Sequence, residues 1–110
     1  MTKKKSPLAT ITLAGDYSIA GVSDQLPILQ QLLKEATEVR QKAGNIVSPC
    51  QINLSGLQTL DACGCQLLAI FLHKLRAEGL TDFSFTLDEF QREQIHLFGF
   101  HTAIFTGDTA

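Results

Sequence analysis

The stretch CQINLSGLQTLDACGCQLL, from Cys50 to Leu68, constrains the fold more than any other part of the chain, because it feeds a strand into an apolar helix through an acidic, glycine-containing turn. Cys50 to Leu54 reads as a short buried strand, ended by a loop carrying Ser55 and Gly56. Asp61 stands just ahead of a long apolar run with helical spacing, so it reads as the N-cap, its carboxylate accepting from amides of the first turn. Amides at such a helix start also attract a phosphate or a partner's carboxylate. Function is therefore expected at this turn.

The segments on either side give an alternating plan. Ala9 to Leu13 sets Ile11 and Leu13 on one face and Thr10 and Thr12 on the other, the period of a half-buried strand, and Gly15 and Asp16 break it. Ile19, Val22, Leu26, Leu29, Leu32 or Leu33, and Ala36 then recur at helical spacing among Gln, Lys and Glu, predicting an amphipathic helix. Proline is costly inside a helix but tolerated in its first turn, so Pro27 places the regular start near Asp24, with Asp24 as its cap. Gln41 to Pro49 is a breaker-rich linker.

After Asp61, the residues Leu67, Leu68, Ile70, Phe71, Leu72 and Leu75 span an arc of about 200° at 100° per residue, and Cys65 widens it to roughly 220°. That is broader than one core-facing stripe requires. Either the helix lies in a groove between the sheet and another helix, or part of the arc is a partner surface. Arg76 to Gly79 supplies a helix stop, Phe83, Phe85 and Leu87 mark a third strand, and Asp88 begins a last helix through Phe90, Ile95 and Phe98. Strands separated by helices imply an α/β fold with a mostly parallel or mixed sheet. About four strands are expected, with the helices mainly on one side.

With 110 residues the chain suits one domain: residues 1–7 as a polar tail and 8–110 as the folded unit. The net charge of −2 gives no basic field, and the one cationic cluster, Lys3 to Lys5, lies in the tail, so nucleic-acid binding is not expected. The longest apolar run, Leu67 to Leu72, is far short of the ~20 residues that cross a bilayer, and no secretory apolar region follows the N-terminal lysines. A cytoplasmic location without membrane insertion is expected.

Three cysteines form no disulfide framework. Cys63 and Cys65 could meet a soft metal in principle, but His73 is ~12 Å further along the helix axis, so no metal or other cofactor is expected. Cys63 reads as a small packing residue, or else as a thiol made reactive by the helix dipole. His73 falls on the polar side of its helix, while His96 and His101 flank Phe98 and Phe100 and are expected to be partly buried beside them. No nucleophile is paired with a histidine by its spacing and no glycine-rich phosphate loop is present, so no enzyme activity is expected.

The run Ile52-Asn53-Leu54-Ser55, followed by Asp61 and Gly64 and then a Leu-rich helix, resembles the STAS domains, named for sulfate transporters and anti-sigma-factor antagonists. The likeness extends over about Leu8 to Phe100, including the Leu13-Ala14-Gly15-Asp16 strand end and the strand Phe83 to Leu87. The family's Asp-Ser-Ser/Thr-Gly turn is here Asp61-Ala62-Cys63-Gly64. In phospho-regulated members a kinase modifies the Ser after the Asp, and Ala62 has no hydroxyl to accept phosphate. The chain thus looks like a stand-alone bacterial member lacking that serine, with Ser55 and Thr59 as the remaining hydroxyls on the loop.

The resemblance implies a non-enzymatic protein-interaction module. Its partner would be an anti-sigma or chemosensory kinase-like protein, or the ATPase subunit of a phospholipid-trafficking transporter. The binding surface is expected to comprise Ser55, Gly56, Thr59, Asp61, Ala62, Cys63, Gly64 and Gln66. The alternative is a small-ligand or redox sensor, using the helix N-terminus as an anion site or Cys63 as a thiol switch.

Overall fold

A computed structural model of the chain describes residues 9–43, 50–80 and 82–106. The expected polar tail and the 44–49 part of the linker lie outside the described residues. The elements run β1 (Ala9–Tyr17), α1 (Val22–Ala43), β2 (Cys50–Leu60), α2 (Ala62–Ala77), β3 (Phe83–Thr86), α3 (Glu89–Leu97) and α4 (His101–Phe105). The strands form a parallel sheet in the order β1-β2-β3, three strands among the described residues where about four were expected.

Two crossovers of one hand stepping the same way put α1 and α2 on the same face of the sheet. Ile11, Leu13, Ile52 and Leu54 are buried on that face against Leu68, Phe71, Leu72 and Leu75 of α2. On the opposite face Thr10, Thr12, Ala14, Ser84 and Thr86 are exposed, and Gln51 donates to Thr86 Oγ1 at 3.2 Å. Among the described residues the helices thus cover one side only, and the alternation read from the sequence in β1 and β3 follows from that asymmetry.

β2 does not stop at Leu54, as expected, but continues to Leu60. Its partners advance from Asn53 to Gly56 while β1 advances only from Thr12 to Ala14, and again from Leu57 to Thr59 against Gly15 to Asp16. Each step is a bulge that inserts one extra residue on β2. The buried positions accordingly change from every second residue (Cys50, Ile52, Leu54) to every third (Leu57, Leu60). Gly56 is in the strand because β1 comes close to it: a β-carbon there would sit 3.0 Å from Ala14 Cβ and 3.1 Å from the Leu13 carbonyl oxygen. Gly56 thus serves a close approach of strands and not the expected turn. β1 likewise runs past the expected break at Gly15 and Asp16, with Gly15 absorbing the irregularity at φ +105°.

Several helix boundaries differ from expectation. α1 starts at Val22, so Asp24 lies in its first turn and is not its cap, and Pro27 is inside the helix. Ile19 is not part of the helical stripe. It lies in the β1–α1 loop and is 71% exposed. Leu26 is also exposed, whereas Leu29, Ala36 and the unforeseen Gln25 are buried. α2 ends as expected: Gly79 has φ +99°, with Gly79 N–H donating to Arg76 O and Leu80 N–H to Leu75 O, a glycine stop closed by a 6→1 hydrogen bond.

Asp88 caps α3 in a reciprocal capping box with Gln91. The Gln91 side chain is buried, and its Nε2 donates to the Ser55 and Leu57 carbonyls, both at 3.2 Å. β3 pairs only with residues 50–53 of β2, so this amide satisfies the strand edge beyond β3. The short helix α4 was not foreseen. Its last carbonyls are held from α2: Arg76 donates to Ala103 O at 3.2 Å and to Ile104 O at 2.8 Å, with its guanidinium 5.1 Å from the Phe83 ring centre. His96 and His101 are both exposed, correcting the expected burial, with His101 edge-on to Phe105 at 5.3 Å between ring centres.

Candidate functional site

Asp61 is the pivot of the turn at the C-terminal end of the sheet. Its extended backbone, φ −128° and ψ −171°, leaves β2 and turns the side chain onto the start of α2. Oδ1 accepts from Gly64 N–H and Oδ2 from Ile19 N–H, each at 3.0 Å. The second bond reaches 42 residues back in sequence and ties the β1–α1 loop to the helix start. The Ile19 amide first, and the Gly64 amide next, hold the Asp61 carboxyl below its ordinary 3.8. Asp61 N–H in turn donates to Tyr17 O at 3.2 Å.

Gly64 makes this junction possible. A β-carbon at this position would overlap the Tyr17 carbonyl group, so the first turn of α2 can press directly on the end of β1 only with glycine there. The β1–α1 loop is turned by Asp16 Oδ1, which accepts from Ser18 N–H at 3.0 Å, and by Ser18 Oγ, which accepts from Ala20 N–H at 3.2 Å. Beneath this, Tyr17 is fully buried, its hydroxyl has no hydrogen-bond partner among the described residues, and burial pushes its pKa up to about 12. Removal from water similarly pushes the buried Cys50 and Cys65 thiols up to about 11, so both are neutral at physiological pH and poor nucleophiles.

Of the residues expected at the site, Asp61, Ala62, Cys63, Gly64 and Gln66 come together on the first turns of α2. Ala62, Cys63 and Gln66 are exposed, which removes the reading of Cys63 as a packing residue. Gly64 is buried and serves the junction, not a contact surface. Thr59 is exposed two residues before the cap. Ser55 and Gly56 are not at the turn: they lie in β2, six and five residues before Asp61, or roughly 16–20 Å away along an extended strand. The Ser55 hydroxyl donates to Asn53 Oδ1 at 2.7 Å and its own amide donates to the same oxygen, a local bulge contact.

The sequence reading missed the contribution of α1. α1 and α2 run side by side in the same direction, and Val22, Ser23 and Leu26 line a hollow with Cys63, Gln66, Leu67 and Ile70. Leu26 is 44% exposed and Ile70 45%. A signal was present in Leu26-Pro27-Ile28, since three consecutive apolar residues on a helix cannot all face one core. The surplus arc of α2 is explained in the same way: Cys65, Leu68, Phe71, Leu72 and Leu75 are buried, while Ile70 faces outward.

Among the described residues no group of three or more His, Cys, Asp or Glu is placed to hold a metal ion, and no helix is long and apolar enough to cross a membrane. The turn presents a capped helix start, exposed small residues at Ala62 and Cys63, and an adjoining apolar hollow. No protein-family model, curated protein or solved structure matches the chain.

Proposed function

We propose that the chain is a non-enzymatic protein-interaction module that binds a protein partner through the turn at Asp61 and the outward face of α2. The observation that carries this reading is the open apolar hollow beside Ala62, Cys63 and Gln66, built on a junction held by the Asp61 carboxylate. Exposed small residues let another backbone approach, and leucine and isoleucine at such exposure gain from being covered. The resemblance to STAS domains supports the same surface. It also names the partner classes: an anti-sigma or chemosensory kinase-like protein, or the ATPase subunit of a phospholipid-trafficking transporter.

The Asp61 carboxylate already accepts from the Gly64 amide, so an incoming anion would meet both a used donor and a negative charge. This argues against an anion-sensing role for the helix start. With Ala62 in the acceptor position, phosphate is not expected at the turn. Phosphopeptide mapping of protein from its native cell checks this, and a phosphate on Ser55 or Thr59 would show that the switch has moved back into β2.

The binding test is capture of partners from the native cell by the wild-type chain, by Ala62→Glu, and by Thr12→Glu on the uncovered sheet face. A protein retained by wild type and Thr12→Glu but lost with Ala62→Glu supports the assignment. Loss with Thr12→Glu alone places the interface on the sheet.

A further inference from the structure

Three hollows adjoin at Ile70: two lie between α1 and α2, and the third lies on the side of α2 towards α4, where Ala103 lines it. One end lies level with Val22 and Cys63 and the other with Leu33 and Lys74, so the shared groove follows about 11 residues of each helix, or ~16 Å. Its middle is apolar, formed by Leu26, Leu67 and Ile70. The far end holds Gln30 and Lys74, and Lys74 also lines the third hollow with His73 and Arg76. Arg76 is already committed to the Ala103 and Ile104 carbonyls, so Lys74 is the charged donor at that end, with the Gln30 amide beside it.

Although the chain is acidic overall, with 11 Asp and Glu against 9 Lys and Arg, none of the described residues lining these hollows is a carboxylate. From this charge pattern we infer that the groove takes an acidic amphipathic helix of the protein partner, its apolar stripe on Leu26 and Ile70 and its carboxylates beside Lys74. The inference rests on the interaction-module reading and names the partner's binding element.

A helix suits the site for two reasons. A ~16 Å groove matches about three turns, enough for anchors at i, i+3 or i+4, and i+7. Both walls are helices whose backbone groups are used internally, so an extended peptide would bring unpaired amides into an apolar slot, whereas a helix satisfies its own. Lys74 stands at one end, so the carboxylates set the direction in which the helix lies. The opposite end, at Ser23 and Cys63, is uncharged.

The test uses two synthetic 12-residue peptides, each held helical by a side-chain lactam and carrying the same leucine stripe, one flanked by Glu and the other by Lys. Fluorescence anisotropy with the full chain is expected to give roughly three- to tenfold tighter binding of the Glu peptide, a preference that fades in high salt. Lys74→Glu should reverse the order, and Ile70→Ala should weaken both peptides. Equal affinities that Lys74→Glu leaves unchanged would overturn the inference, as would failure of both peptides to bind. Adsorption to phosphatidylcholine vesicles only when they contain phosphatidylglycerol, with no peptide preference, would assign the cations to lipid and also overturn it. So would a concentration-dependent dimer in sedimentation that Ile70→Glu abolishes. If the peptides fail while Ala62→Glu still prevents partner capture, only this inference falls. If Ala62→Glu has no effect either, the module reading falls with it.

Discussion

Cys63 and Cys65 stand two residues apart on α2. One lies open beside the groove, while the other is fully buried, its thiol pushed up to about 11. The contrast extends along the helix. The inner face, with Cys65, Leu68, Leu72 and Leu75 at 0–1% exposure, has little space left to adjust. The outer face, with Cys63, Gln66 and the 45%-exposed Ile70, has apolar surface that nothing within the described residues covers completely. A side chain on the inner face should act through folding, and one on the outer face through binding. The two can be separated by making changes that affect stability to different degrees.

The largest effect is expected from Leu75→Ala. It removes a fully buried side chain from a packed core and should cost about 2–5 kcal/mol, read as a fall in the denaturant midpoint. A midpoint that does not move would mean that the two faces of α2 have been assigned the wrong way round.

Gly64→Ala comes next. The added methyl meets the Tyr17 backbone, which cannot rotate away as a side chain could, so a destabilisation of about 1–3 kcal/mol or more is expected. Chemical denaturation together with the amide NMR shifts of Tyr17 and Ile19 would locate the damage at the junction. Unperturbed shifts would show that α2 does not press on β1 there.

Removing the cap, Asp61→Ala, should cost about 1 kcal/mol at neutral pH. The folded-state pKa of this carboxyl is depressed, so its contribution is fully present above the ordinary 3.8 and is lost as the pH falls through the folded value. The difference in stability between wild type and Asp61→Ala should therefore narrow in acid. A difference independent of pH would mean that the Ile19 and Gly64 amides do not stabilise the charge.

Most of the fold was legible where local chemistry decides the structure. Asp61 and Asp88 could be read as caps because a short acceptor ahead of an apolar run has a local partner in the next turn. Ile11, Leu13, Ile52 and Leu54 could be read as core because alternation reports a sheet covered on one side. The full length of β2 could not be read, since Ser55 and Gly56 resemble a turn until the closeness of Ala14 on a neighbouring strand is known. The buried amide of Gln91 was hidden for the same reason: its acceptors are the Ser55 and Leu57 carbonyls on another element. The α2 part of the candidate site could be located from the cap, while the α1 wall of the groove depended on how two helices lie together.

The smallest effect on folding, and the largest expected on binding, belongs to Ala62→Glu. The side chain is exposed in the first turn of α2, where a carboxylate is tolerated by the helix dipole, so stability should change by no more than about 0.5 kcal/mol. Against a bound partner the same carboxylate would be desolvated without a counter-charge, at a cost of several kcal/mol. The measurement that tests the central claim is the thermal midpoint and the partner dissociation constant of Ala62→Glu on a single preparation. The account predicts an unchanged midpoint with affinity reduced at least about a hundredfold, equivalent to roughly 2.7 kcal/mol. Midpoint and affinity both equal to those of the wild type would contradict it.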